Sequence, residues 1–261
     1  MRDIYIIPDM ENIEESIALA EKYHARFEYN DFYKPSVLDD EQQINEIIAF
    51  YQGLDRDRSK DTLHGAFLDI TVHSEDSLIR SASEKRVRQC MDIADRLGIR
   101  GIIFHTNIIS NFCAGEYRRN WIESNERFWR TILSEYPRLS IFIENMFDEE
   151  PETLVALAEK MSDEERFGIC LDYAHAQVFG REPEEWIKEL GAYIKHMHIN
   201  DNDLKGDLHQ SVGSGSINWT HFTDSLEVAE IDSTVLIETK SIEKQRESLE
   251  YMEVNKIYPF K

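Results

Sequence analysis

The chain has 261 residues, of which 41% are hydrophobic and 31% are charged, and this balance excludes a disordered polymer and a membrane-embedded protein. Its formal net charge of −22 gives no overall attraction for the phosphates of nucleic acids, which are therefore not expected as partners. The first residues lack the features of a secretory signal and no apolar run is long enough to span a bilayer, so we expect a cytoplasmic protein with no membrane partner.

The cysteine pattern limits the redox and metal chemistry. Cys90, Cys113 and Cys170 are odd in number and show no Cys-x-x-Cys spacing. This argues against a disulfide framework and against a thiolate metal site. We expect all three thiols to be reduced.

Eight short apolar runs recur along the chain, each followed by a polar loop and a segment with apolar residues at helical spacing. The runs cover residues 4–7, 25–28, 62–64, 101–104, 139–143, 167–171, 193–198 and 234–237. Strands that alternate with helices predict a closed parallel (β/α)8 barrel, whose usual length of about 250 residues fits this chain. We expect a single domain over residues 1–261.

Helix signals support this reading. A helix is predicted over residues 84–97, with Gly98 ending it. Pro151 and Pro183 are placed where helices begin, because proline lacks the N–H that has no helical partner there. An open doubly wound sheet is the alternative fold, but residues 7–10 lack the glycine-rich phosphate loop that usually follows its first strand.

The predicted strands stop at residues that can bind a hard or borderline cation. Six such residues are His64, His105, Glu144, Asp172, His198 and Glu238, and three more nearby are His175, Asp207 and His209. In a barrel these positions meet at one face, where loops after the strands build active sites. Imidazole nitrogen with carboxylate oxygen suits Zn, Mn, Fe or Co, so we predict one to three divalent ions, with Glu144 or Glu238 as the bridge.

A single histidine at a strand end is more often a hydrogen-bonded structural residue than a ligand. The metal interpretation therefore depends on several candidate ligands meeting at one face of the barrel, because several buried carboxylates in one place need cations to neutralise them.

We expect His196 to be an interior hydrogen-bonded residue, and His24, His73 and His221 to be surface or capping residues. Core packing is expected of Trp121, Phe128 and Trp129. Weaker candidates for substrate contact are Phe32, Tyr33, Phe67, Phe104, Phe112 and Tyr173.

Several segments together resemble the xylose isomerase-like barrel superfamily, which holds sugar phosphate isomerases and epimerases together with endonuclease IV. The segments are LHGAFLD (63–69), FH (104–105), IEN (143–145), CLDYAHA (170–176), HINDN (198–202), DLHQ (207–210), GSGSI (213–217) and LIE (236–238). The resemblance covers nearly the whole chain. It implies the barrel fold, a metal-dependent enzyme and a small carbohydrate substrate. A homo-oligomer is compatible with it.

The isomerase and epimerase branch implies one divalent ion held by Glu144, Asp172, His198 and Glu238. Glu144 and Glu238 would also act as the acid/base pair that moves a proton on a metal-chelated open-chain sugar. His175 would contact sugar hydroxyls or a second ion. We also expect substrate contacts from Asn145, Phe67 and Arg118.

In the endonuclease IV branch the same positions, with His64, His105, Asp207 and His209 added, match the ligands of a three-zinc cluster that cleaves phosphodiesters. All nine positions are filled here. The loop at residues 30–35 holds only one lysine, and the loop after His64 holds no basic residue, which disfavours DNA. Because segments 63–67 and 116–129 are more similar to the small-sugar branch, we favour the isomerase or epimerase. Dehydration of a polyol and a non-catalytic metal-binding protein are further alternatives.

Overall fold

A computed structural model describes residues 3–110, 112 and 115–261. Eight parallel strands follow one another in chain order and close into a barrel. The strands are β1 (Ile4–Ile6), β2 (Arg26–Tyr29), β3 (Thr62–His64), β4 (Gly101–His105), β5 (Ser140–Glu144), β6 (Phe167–Asp172), β7 (Ile194–Ile199) and β8 (Thr234–Ile237). Because β1 pairs with β8, the predicted closed barrel is confirmed and the open sheet is excluded.

Helices alternate with the strands and surround the barrel. They are α1 (Ile13–Tyr23), α2 (Pro35–Leu38), α3 (Glu41–Gln52), α4 (Ser77–Leu97), α5 (Gly115–Glu135), α6 (Glu152–Lys160), α7 (Tyr173–Phe179), α8 (Pro183–Leu190), α9 (Trp219–Val228) and α10 (Ile242–Asn255). A short 3-10 helix, Gly191–Tyr193, leads into β7.

Local sequence signals explain several helix boundaries. Helix α4 begins before the predicted residue 84, because the Asp76 carboxylate accepts hydrogen bonds from the first N–H groups of the helix. It ends at Gly98, whose φ of 71° is left-handed and suits glycine. Pro151 directly precedes α6, and Pro183 is the first residue of α8, as predicted.

The hydrophobic core lies inside the barrel and between its strands and the surrounding helices. Trp121 and Trp129 on α5 are buried against it, and Phe128 beside them is also buried, as expected. The Trp129 ring stacks on Phe104 of β4 at a centroid distance of 5.3 Å, which joins helix to strand. Such contacts hold the strand ends at fixed positions.

The histidines predicted to lie outside the site have different environments. His196 lies inside the barrel and hydrogen-bonds within it, and His24 ends α1 in the left-handed conformation. His221 is partly exposed near the start of α9. The surface or capping role predicted for His73 is wrong: its ring is buried, 3.3 Å from the Tyr117 hydroxyl, and this burial lowers its pKa to about 4. Its backbone carbonyl also accepts a hydrogen bond from the Asn120 side chain on α5, a contact between distant residues that local sequence does not indicate.

Cys90 and Cys170 are buried free thiols. The expected reduced state of Cys113 concerns a position outside the described residues. In the part of the chain that the structure describes, no helix combines the length and the apolarity that crossing a membrane requires.

A buried ion pair holds the N-terminal ends of β2 and β3 together. The Asp61 carboxylate accepts hydrogen bonds from the Phe27 N–H (3.0 Å) and the Tyr29 hydroxyl (2.7 Å). The Arg56 guanidinium contacts both Asp61 oxygens and lies over the Phe27 ring. Because Asp61 is fully buried, these contacts are screened little by water.

We expect Asp61→Asn to lower the free energy of unfolding by about 3 kcal/mol, because it leaves the partly buried Arg56 without its counter-charge. Urea denaturation measures this change. Asp57→Asn, on an exposed neighbour, is the control and should change stability by less than about 0.5 kcal/mol. Equal effects of the two substitutions would contradict the assigned role of the buried pair.

Candidate metal centre

The closed barrel brings all nine predicted ligands to the face where its strands end. Their ligand atoms form three main groups and a fourth that overlaps two of them, and within each group the atoms lie within 4.8 Å of one another. The central group is Glu144, Asp172, His198 and Glu238; the His64 group is His64, His105 and Glu144; the His209 group is His175, Asp207 and His209. Glu144 belongs to two groups, which is the arrangement that a bridging carboxylate needs. Glu238 also lies within the same distance of His64 and His198.

Strand geometry places these residues. His64, His105, Glu144 and Asp172 are the last residues of β3 to β6. Glu238 follows β8, and its N–H still donates to the Ile199 carbonyl, so it continues the ladder. Adjacent parallel strands in register therefore present neighbouring ligands side by side, such as His105 opposite Glu144.

Glu144 lies at the middle of the site. Its Oε2 lies 3.5 Å from His64 Nε2, 3.4 Å from His105 Nε2 and 3.3 Å from His198 Nδ1. Both oxygens are buried and make no hydrogen bond among the described residues. Two ligand atoms on one tetrahedral zinc ion, each about 2.0–2.1 Å from it, lie roughly 3.4 Å apart. The spacing therefore fits divalent cations between these atoms.

Other unpaired buried atoms point to the same conclusion. Asp172 Oδ2, Glu238 Oε2, His64 Nε2 and His198 Nδ1 also lack hydrogen-bond partners in the described structure. A buried polar atom without a partner costs free energy unless a ligand satisfies it. Because these atoms face one another across the centre, the residues present fit a metal site.

Backbone carbonyls orient most of the histidines. The Nδ1 atoms of His64, His175 and His209 lie 3.1, 2.9 and 2.8 Å from the carbonyl oxygens of Gly65, Asn145 and Glu238. In the tautomer protonated at Nδ1, each ring donates to its carbonyl and leaves Nε2 as the ligand atom. Such outer contacts are usual for histidines that bind metals.

The loop after β7 supplies Asp207 and His209, and Asp201 anchors it. The Asp201 carboxylate accepts hydrogen bonds from the N–H groups of Gly213 and Ile217 and from Trp219 Nε1. Asp201 also forms an antiparallel bridge with residue 210. At Gly215 a Cβ atom would lie 2.3 Å from Asp201 Oδ1, so this close approach requires glycine. Asp201 lies within the HINDN segment, but its role depends on N–H groups that follow later in the chain and is not evident from that segment alone.

Buried charges interact strongly here. Burial, reinforced by the Glu238 and Glu144 carboxylates, raises the pKa of Asp172 to about 8. Burial also opposes ionisation of Glu144, but His198 and His105 outweigh it and hold the pKa of Glu144 well below its usual range. Despite its burial, His209 has its pKa raised to about 9 by the Asp207 and Glu238 carboxylates. Without a divalent cation, protons therefore provide the positive charge that the carboxylates need.

A cavity of about 390 Å³ opens above the three groups. His175 and Phe67, two of the predicted substrate contacts, line it, and Tyr33 lies beside Phe67 at a ring distance of 5.7 Å. Asn30 and Lys240 also line it, and neither was among the residues predicted from the sequence. Lys240 follows the ligand Glu238 by two residues, which could have indicated it.

Two other predicted substrate contacts have different surroundings. Asn145 is fully buried; its side chain donates to the Asp172 carbonyl and accepts the Asp172 N–H, both at 2.9 Å, so it braces β6. Arg118 lines a separate small cavity and pairs with Glu150 at 3.5 Å, because its place on α5 turns it toward the loop after β5. The structure therefore does not bring Arg118 to the main cavity.

Of the weaker aromatic candidates, Phe32, Phe104 and Tyr173 are core residues, so their predicted substrate contact is wrong. Phe112 is 54% exposed and is not among the residues that line the cavity. The aromatic wall of the cavity is therefore formed by Tyr33 and Phe67.

We expect binding of Zn²⁺ or Mn²⁺ at pH 7 to release protons, because Asp172 and His209 have raised pKa values and must lose their protons to act as ligands. The affinity should therefore rise with pH up to about 9. Isothermal titration calorimetry in buffers of different ionisation enthalpy measures the number of protons released. An observed binding enthalpy that does not depend on the buffer would contradict this prediction.

The comparisons with known proteins agree with this architecture. Methanocaldococcus jannaschii protein MJ1311 is 27% identical over 216 residues, which cover 77% of this chain and 72% of that protein. The TTHB071 protein from Thermus thermophilus, soaked with ZnCl2, has a TM-score of 0.73 at 22% identity, covering 97% of both chains. A D-tagatose 3-epimerase-like protein has a TM-score of 0.72 at 20% identity, covering 96% of both. The model of the family described as xylose isomerase-like TIM barrel matches residues 14–254, and the chain therefore belongs to this family.

Proposed function

We propose that this chain is a divalent-metal-dependent isomerase or epimerase of a small sugar or sugar phosphate. The observation that carries the proposal is the central group, in which Glu144 and Glu238 face one cation position beneath a cavity of about 390 Å³. That volume lies in the range of small-molecule sites. The structural likeness to a D-tagatose 3-epimerase-like protein supports the same class of substrate.

A bound divalent ion would polarise the carbonyl and the adjacent hydroxyl of an open-chain sugar and so acidify the C–H between them. Glu238 is the better candidate to remove this proton, because its side chain lines the cavity. Glu144 is fully buried among imidazoles, which favours a ligand role with proton return as its second function. Return to the neighbouring carbon gives aldose–ketose exchange, and return to the opposite face gives epimerisation.

The cavity wall suits a sugar. Tyr33 and Phe67 provide apolar ring surface, while Asn30, His175 and Lys240 provide polar groups that can hydrogen-bond to hydroxyls. The Lys240 ammonium group also lines the cavity and is well placed to bind a phosphate on the substrate. Positioned in this way, the reacting carbon would lie next to Glu238.

We expect Glu238→Gln to keep the fold but to abolish exchange of solvent deuterium into a bound ketose, because glutamine cannot accept the proton. NMR detection of deuterium in the sugar measures the exchange. Glu253→Gln, on the exposed face of α10, is the matched control and should exchange at the wild-type rate. Persistent exchange in the Glu238 variant would show that another residue is the base.

Phosphodiester hydrolysis is the second candidate, and one specific observation favours it. An isomerase needs only the central group, yet the chain also forms the His64 and His209 groups. The four carboxylates among the nine ligands would not balance three divalent ions, so a full cluster with neutral histidines would attract an anion such as a phosphate ester.

Metal counting by mass spectrometry, together with assays on a duplex containing an abasic site and on a small phosphodiester, separates the two candidates. We expect sugar-proton exchange with one Mn²⁺ per chain and no incision of the duplex, since the net charge of −22 repels DNA. Three tightly held zinc ions together with clean incision would replace the isomerase by the hydrolase.

A further inference from the structure

Glu28, on β2, lies inside the barrel next to the central group. It is fully buried, and its Oε2 accepts a hydrogen bond from the Thr62 hydroxyl at 2.7 Å. The same oxygen lies 3.1 Å from His196 Nε2. Its other oxygen, Oε1, lies 3.0 Å from His198 Nε2 in an ion-pair contact, although neither of these two atoms makes a well-aligned hydrogen bond with a described residue.

His198 is oriented differently from three other ligand histidines. His64, His175 and His209 turn Nδ1 to a backbone carbonyl. His198 instead turns Nδ1 to the centre, 3.3 Å from Glu144 and 3.6 Å from Glu238, and turns Nε2 to Glu28. Its partner is therefore a carboxylate rather than a carbonyl.

We propose that Glu28 is a positioning residue that keeps the His198 proton on Nε2, presents Nδ1 to the central group and makes this group the tightest of the three. The proposal rests on the metal centre of the proposed function. A carboxylate behind a ligand imidazole raises its basicity and fixes its tautomer. A backbone carbonyl, which carries only a partial charge, does this less strongly.

Thr62 and His196 hold Glu28 itself in place. Glu28 and Thr62 are direct partners in the β2–β3 register, which fixes their distance. His196 Nδ1 lies 2.6 Å from the Thr234 hydroxyl. In the tautomer protonated at Nε2, the His196 ring accepts a hydrogen bond from Thr234 at Nδ1 and donates one from Nε2 to Glu28. Oε2 is thereby occupied, and Oε1 is left for His198.

A purely structural role does not explain this arrangement. A buried carboxylate loses its hydration, and apolar side chains fill barrel interiors at lower cost. Here two histidines and a threonine contact the Glu28 carboxylate. The arrangement is useful if His198 must act as a strong, rigid donor at the centre.

Titration of the full-length, metal-free chain with Co²⁺ against a chelator tests the proposal. In Glu28→Gln we expect the tightest Co²⁺ to bind about 10- to 100-fold more weakly, with shifted visible absorption bands. Asp61→Asn, which neutralises a buried carboxylate just before β3 at the opposite end of the barrel from the metal centre, is the control and should leave affinity and spectrum unchanged. Affinity within twofold of wild type in the Glu28 variant, or an equal loss in both variants, would overturn the proposal.

A measurement on the wild-type protein covers the case in which Glu28→Gln does not fold. Long-range ¹⁵N–¹H correlation NMR of the zinc-loaded chain should find the His198 proton on Nε2, and the protons of His64, His175 and His209 on Nδ1. A His198 proton on Nδ1 would exclude the proposed role.

The Co²⁺ titration also separates this inference from the proposed function. If the wild type binds no Co²⁺, this inference and the proposed function both fail. If it binds Co²⁺ but shows no sugar turnover, only the proposed function fails.

Discussion

The need to neutralise buried carboxylates at the C-terminal end of the barrel is the constraint on which the rest of the site depends. Glu144, Asp172 and Glu238 lie within a few ångströms of one another with little access to water. Repulsion and lost hydration would oppose this arrangement without positive charge. In the absence of metal, neighbouring histidines provide such charge and hold the pKa of Glu144 low, whereas burial and the nearby carboxylates raise the pKa of Asp172, and carboxylates raise the pKa of His209.

Buried carboxylates are neutralised by different groups at the two ends of the barrel. At the N-terminal end Asp61 is neutralised permanently by Arg56, which cannot lose its proton at accessible pH. At the C-terminal end the compensating groups are imidazoles, a type of side chain that can lose its proton and accept a metal ion instead. The first arrangement suits stability, and the second leaves the site able to bind and react.

The barrel and the six candidate ligands at strand ends could be predicted from sequence because both follow short-range rules, and His175, Asp207 and His209 are added because they lie close to these ends in the chain. Apolar runs alternate with helical periodicity, and the residue after each run must lie at the strand end. Residues whose roles depend on distant contacts could not be predicted in this way. Glu28 contacts His196 and His198 across the barrel interior. Asp201 accepts hydrogen bonds from N–H groups of residues up to eighteen positions later in the chain. The burial of His73 and the pairing of Arg118 with Glu150 likewise depend on how helix α5 lies against its neighbouring loops.

The way the loop after β7 is held has a consequence for how this barrel can diversify. Asp207 and His209 reach the site on a segment that Asp201 closes at its base, while the four central ligands belong to or directly follow the strands. Exchange of this segment would remove the His209 group without altering the strand ladder that carries the central group. Under the proposed function, replacement of this single surface connection by evolution or engineering would change how many ions one barrel holds, and with it the chemistry.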